Sequence, residues 1–227
     1  MDSVLHTTGR FGPRTLLITT AAVPLTGWAV HALALRKQIA NGRKDPLTGL
    51  LGRPEFLAHV QRHLRRYRRG LHVLMLDGVH FKTINDTFGH AGGDAAIQTV
   101  GRRLASWSAG RRALAARLGG DEFALSVVLD PATALSEITA LREQLQQPFR
   151  VGQCTLHLGV TVGIARAVDL PGEDASRILR GADTAMYKVK KGTAGFPYCA
   201  TRADAYSQTV NGRRVGRPGT HLLAGAA

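Results

Sequence analysis

Gly119 and Gly120 stand between two apolar runs, Leu114–Leu118 and Phe123–Leu129, and are followed at once by Asp121 and Glu122. Paired glycines between strand-like runs predict a tight β-hairpin. Such a turn has no Cβ atoms, so its backbone N–H groups can meet a phosphate. The two carboxylates beside it would repel that phosphate unless a divalent cation lay between them. The residue types therefore point to a metal–nucleotide site; a solvated hairpin tip would carry the same residues.

A second constellation begins with Leu71–Leu76, a short apolar run that reads as a buried strand ending at Asp77-Gly78. An acid at the C-terminal end of a strand commonly receives metal or ligand in α/β sheets. Phe81-Lys82-Thr83-Ile84-Asn85-Asp86 and Gly89-His90-Ala91-Gly92-Gly93-Asp94 follow. The Asn85 amide and the Asp94 carboxylate suit the Watson–Crick edge and N2 amine of a guanine. Turn capping by Asn85 and Asp86, and N-capping of a helix by Asp94, would use the same side chains.

The elements that must position these residues read coarsely as helix 54–69, strand 71–77, helix 94–107, hairpin 113–128, helix 131–146, strands within 154–166 and helix 174–191. That order predicts an α/β (α+β) domain, a ferredoxin-like βαββαβ palm over one mixed sheet. If the strands bearing Asp77 and Asp121 are neighbours, three carboxylates share one cleft. Such crowding is costly without cations and predicts Mg²⁺ or Mn²⁺.

The chain has 227 residues and a formal net charge of +14, enough for one globular domain with extensions and suited to anionic partners. Its two cysteines, Cys154 and Cys199, lack metal-ligand spacing, and a reducing cytosol fits them. Residues 1–15 form a short polar N-terminus. Residues 16–36 contain a run of about 20 without formal charge, long enough for one N-terminal hydrophobic helix to span a bilayer. Arg36, Lys37, Arg43 and Lys44 follow that run, against Arg10 and Arg14 before it. This bias favours a single-pass membrane protein with its C-terminal domain in the cytoplasm, a buried signalling or coiled-coil helix being the alternative. Residues 37–195 form the domain with its leading linker, and 196–227, rich in Gly, Arg and small residues, read as a flexible basic tail. Phe56, Leu57, Val60 and Leu64 recur at helical spacing beside Arg62, Arg65, Arg66, Arg68 and Arg69. Each arginine would add about 1 kcal/mol of attraction near an anionic leaflet; a solvated helix face carries the same pattern. No nucleic-acid binding is expected, since neither zinc-finger spacing nor interleaved aromatics occur.

The motifs Asp77-x-x-x-Phe81-Lys82-x-Ile84-Asn85-Asp86-x-x-Gly89-His90-x-x-Gly93-Asp94 and Arg117-x-Gly119-Gly120-Asp121-Glu122-Phe123 resemble those of the GGDEF family of diguanylate cyclases. Asp45-Pro46-Leu47-Thr48-Gly49-Leu50 with Arg53, Thr161–Ala165, and Ala182-Asp183-x-Ala185-Met186-Tyr187-Lys188-x-Lys190 extend the likeness in the family's order. The resemblance covers roughly Lys44 to Gly195 and implies a palm similar to that of adenylyl cyclases and polymerases. It implies condensation of two GTP into cyclic di-GMP and two pyrophosphates, with two Mg²⁺ (or Mn²⁺) per active site, across a homodimer. By the same resemblance Asp77, the Gly78 carbonyl and Asp121 are metal ligands, Glu122 holds the second ion and Asp121 is the general base. Asn85, His90 and Asp94 match substrate-binding positions, and Gly119 and Gly120 admit the α-phosphate. Phe81 and Lys82 line the terminal phosphates through main-chain groups, and Lys190 supplies a cation.

Three stretches depart from the pattern. Val79 stands where the family usually has a second acid, and Gly110 and Ala113 replace an inhibitory Arg-x-x-Asp. Lys191-Gly192-Thr193 replaces a Gly-Arg-Asn run. The departures leave open a degenerate domain that binds GTP or a protein partner without turnover; adenine tolerance is a weaker alternative, given Asp94.

Overall fold

The computed structural model describes residues 44–207; the expected N-terminal hydrophobic helix lies outside them. The chain enters through a turn at Asp45–Leu50 and builds α1 (Arg53–Tyr67), β1 (Leu71–Val79), α2 (Phe81–Ser108), β2 (Ala113–Gly119) and β3 (Glu122–Val128). It continues through α3 (Ala134–Gln146), β4 (Phe149–Val151), β5 (Cys154–Leu156), β6 (Gly159–Arg166), α4 (Ala175–Lys190) and the short α5 (Arg202–Ala205). The main sheet has the order β2-β3-β1-β6, and β4 and β5 form a separate two-stranded hairpin.

Every neighbouring pair in the main sheet is antiparallel, so the mixed sheet expected from sequence is corrected to an antiparallel one. The βαββαβ order itself explains this. Strands joined by helical crossovers, β1 to β2 and β3 to β6, run parallel but are never adjacent, because a strand of opposite direction lies between them.

Alternation along β1 divides the core. Leu74 and Leu76 face the layer containing Ile97, Leu104, Ile138 and Leu145 of α2 and α3. Leu71, Val73 and Met75 face Phe56, Val60, Ile178 and Met186 of α1 and α4. By this parity Asp77 belongs to the α4 side. The apolar stripe of α1 is thus taken up by the core, since Phe56, Val60 and Leu64 are buried, while Arg62, Arg65, Arg66 and Arg69 remain exposed. Arg68 instead turns inward and donates to the Leu170 carbonyl.

Two element assignments from sequence need correction. Helix 94–107 begins thirteen residues earlier, at Phe81, and passes through a kink at Gly89, where φ is 68°. Residues 196–207 are not a loose tail. Cys199 bridges Ile164 of β6, the Ala200 N–H donates to the Ile164 carbonyl at 2.7 Å, and Ala200 and Ala205 are buried. Asp204, 3% exposed, accepts from the Lys188 ammonium at 2.6 Å, from Tyr198 Oη, and from Thr201 through both N–H and Oγ1. Burial alone would raise this carboxyl, but these hydrogen bonds outweigh it and hold it below its usual range. The rest of the expected tail, 208–227, lies outside the described residues. No helix among the described residues is long and apolar enough to cross a membrane.

Candidate active site

β1 and β3 are neighbours, and their register sets Asp77 opposite Glu122. Directly opposed residues of an antiparallel pair project to the same face, so both acids lie at one end of the sheet. Asp77 is 1% exposed, and the Lys190 ammonium, reaching in from the last turn of α4, donates to its Oδ1. A carboxylate taken this far from water needs a cation or strong donors, and Lys190 meets that need.

The Gly119–Gly120 turn joins β2 to β3 with φ of 144° and 54°, values that glycine adopts without strain. It delivers Asp121 beside β1. The Gly78 N–H donates to the Asp121 carbonyl at 3.3 Å, and a Cβ built on Gly78 would stand 3.6 Å from Asp121 Oδ2. Asp77, Gly78, Phe81 and Asp121 line one small hollow whose floor is apolar, formed by Ile97, Phe123 and Val160. A separate cleft of about 210 Å³ between α1 and α4, lined by Arg53, Arg180 and Asp183, contains none of these acids.

β1 hands over to α2 through His80, at φ 60°. Because α2 starts at Phe81, the N–H groups of Phe81 and Lys82 belong to its first turn and have no carbonyl within the helix to bond. Such N–H groups favour a phosphate. Asn85 lies over Gly93 so closely that a Cβ there would stand 2.0 Å from Asn85 Oδ1. The amide therefore sits on the backbone immediately before Asp94, across the Gly89 kink. Asp94 and His90 are exposed, and Asp94 is inside α2, not its N-cap. If Asn85 meets a guanine as the family resemblance implies, Gly93→Ala, which would displace its amide, should weaken guanine-nucleotide binding about tenfold or more, with a small change in melting temperature. A titration with fluorescent GTP showing wild-type affinity would contradict this.

Sequence reasoning gave no role to Arg117, whose partner is 72 residues away. Its Nη1 donates to both Asp45 oxygens at 3.0 and 2.9 Å, and its Nε and Nη2 donate to the Gly120 carbonyl at 3.0 and 2.8 Å. Asp45 also accepts from Thr48 N and Oγ1 at 2.8 and 2.7 Å. Burial would raise the Asp45 carboxyl, but the bonds from Thr48 and Arg117 hold it below its usual value. One guanidinium thus fixes the glycine turn to the domain's entrance. The signal was the arginine inside the motif; its function needed the fold.

The three carboxylates expected to share one cleft are corrected by the structure: among the described residues, no group of three or more His, Cys, Asp or Glu side chains forms a cluster able to hold a metal. Val79, at the position of the usual second acid, packs on Gly159, where a Cβ would stand 3.0 Å from its own. The oxygen donors present still fit Mg²⁺, which commonly takes one or two carboxylates and completes its shell with substrate phosphates and water.

A family model described as "Diguanylate cyclase, GGDEF domain" matches residues 43–195. An uncharacterized 19.3 kDa protein from the repSA 5′ region of Streptomyces ambofaciens is 42% identical over 169 residues, covering 74% of this chain and 89% of that protein. Diguanylate cyclase DgcN of Escherichia coli K12 is 38% identical over 170 residues, but the chain spans only 41% of its length. The GGDEF domain of TpbB (YfiN) from Pseudomonas aeruginosa superposes with a TM-score of 0.63 at 34% identity, covering 71% of this chain and 96% of that one. With the acid-bearing hairpin in register against Asp77 and the family model matched across 43–195, the chain belongs to the GGDEF diguanylate cyclase family.

Proposed function

We propose that this chain is an active diguanylate cyclase that condenses two GTP into one cyclic di-GMP and two pyrophosphates across a homodimer. The observation that carries the reading is the juxtaposition of the buried Asp77 with Lys190 on one side and the Gly119–Asp121 turn on the other. Asp77, Asp121 and the Gly78 carbonyl are the groups that would hold Mg²⁺, with Glu122 for a second ion, and bound ions would supply neutralisation of phosphate charge and acidification of the attacking hydroxyl. Asn85 and Asp94 hold the guanine, His90 is a further substrate-binding position by the family resemblance, and the bare main chain of Gly119 and Gly120 receives the α-phosphate. The first-turn N–H groups at Phe81 and Lys82, together with Lys190, meet the terminal phosphates.

Asp121 takes the proton of the 3′-hydroxyl as that oxygen attacks the partner GTP's α-phosphorus and pyrophosphate departs. Each domain then supplies one nucleotide, and the reaction is complete only when two active sites face each other. Binding and positioning thus do most of the catalytic work, as expected for phosphoryl transfer. A second reading, a domain that binds GTP without turnover, is favoured by Val79 in place of the usual second acid.

Full-length protein incubated with GTP and Mg²⁺ is expected to release cyclic di-GMP, identified by mass, with a specific rate that rises with protein concentration. GTP binding with no dinucleotide at any concentration would establish the second reading instead.

A further inference from the structure

We infer that Lys190 and the divalent cation compete for the Asp77 carboxylate, so that this chain takes up metal together with nucleotide and only weakly without it. The inference rests on the cyclase reading of the same cleft. Three lysines crowd the end of α4, and each is engaged differently. The Lys188 ammonium is bound to buried Asp204 and to Tyr198 Oη, which anchors the helix end. Lys191 lies over the Tyr187 ring, 5.7 Å from its centroid. Lys190 alone of the three pairs with an acid that the site needs, and its side chain is 36% exposed against 1% for Asp77. It thus spans from solvent to a buried oxygen on a flexible stem, while the backbone beneath it is fixed by Lys188.

A divalent ion arriving alone at Asp77 meets an ammonium already on that carboxylate. Either the two cations share it against their mutual repulsion, or the lysine leaves and loses its partner. A triphosphate removes the conflict. Its oxygens give the ammonium a new anionic partner within reach of the same stem, and Asp77 becomes available to the metal. The energetic coupling is reciprocal, so metal must strengthen nucleotide binding by the same factor. Lys190 is in this sense a positioning residue that sets the order in which the cleft is loaded.

Manganese titration of the full-length protein without nucleotide, read by the paramagnetic resonance signal of free Mn²⁺, tests the idea apart from turnover. Lys190→Met is expected to bind Mn²⁺ about tenfold or more tightly than wild type, within the usual range of such couplings. Lys190→Arg, which keeps the charge, should stay weak, and Lys190→Met with Asp77→Asn should lose the gain. Mn²⁺ should also raise the melting temperature of Lys190→Met more than that of wild type, which covers a variant that folds poorly without the ion. Unchanged or weaker Mn²⁺ binding in Lys190→Met, or a gain that survives Asp77→Asn, would overturn the inference. Failure of the cyclase reading would show separately, as absence of dinucleotide from wild type.

Discussion

Asp121→Asn is expected to lower cyclic di-GMP formation by about three orders of magnitude, equivalent to about 4 kcal/mol of transition-state stabilisation. The substitution is nearly isosteric and falls in a turn outside both core layers. The backbone carbonyl that receives the Gly78 N–H is untouched, as is the Arg117 clamp on Gly120. The substitution removes the charge that would hold a divalent ion and the basicity that would take the hydroxyl proton. Circular dichroism should therefore match wild type while product, quantified by mass, falls away. Retention of more than a tenth of the wild-type rate would remove Asp121 from the chemistry.

That separation of site from scaffold explains which parts of the molecule were legible in the sequence. The hairpin at 113–128 was, because paired glycines between two apolar runs admit few other structures. The placement of Asp77 near Asp121 was legible only as a condition, that the strand of Asp77 and the hairpin be neighbours, and the pairing of β1 with β3 supplies it. The start of α2 was not legible. Gly89, Gly92 and Gly93 within five residues read as helix breakers by their propensity. In the fold, a Cβ on Gly92 would stand 2.5 Å from Phe88 Cβ and one on Gly93 would strike Asn85, so these glycines permit the kinked helix to close on itself.

The C-terminal segment was misread for a related reason. Small residues in 196–207 read as part of a flexible tail, but Ala200 and Ala205 are small because they pack close to Gly181, where a Cβ would lie 3.3 and 3.8 Å from their own. Composition cannot distinguish a side chain that is small for flexibility from one that is small for contact. Arg117 shows the other limit. Its motif was visible, but an ion pair spanning 72 residues is set by topology, not by spacing. Similarly, β4 is only three residues long and follows Pro148, too brief for an alternation signal.

Gly163→Ala is expected to destabilise the domain by about 3 kcal/mol, near the upper end for overpacking. Gly163 lies mid-strand in β6, paired with Met75 of β1. A Cβ there would stand 2.1 Å from the Ala182 carbonyl oxygen and 2.1 Å from the Met186 N, both backbone atoms of α4. Side-chain rotation cannot relieve such a clash; the helix itself must move away. A shift of α4 would open contacts of the buried Ile178, Ala182, Ala185 and Met186 with the sheet, and would carry Lys190 away from Asp77. For a domain of this size the loss corresponds to a fall in melting temperature of about 6–12 °C, at roughly 2–4 °C per kcal/mol. Urea unfolding with an unchanged midpoint would show that α4 does not pack on β6 as closely as this contact requires. The same variant separates two kinds of glycine in this chain. At position 93 the obstructing atom ends a movable amide, so an added methyl should cost recognition. At position 163 it belongs to a helix backbone, so an added methyl should cost the fold, and the Lys190–Asp77 pairing with it.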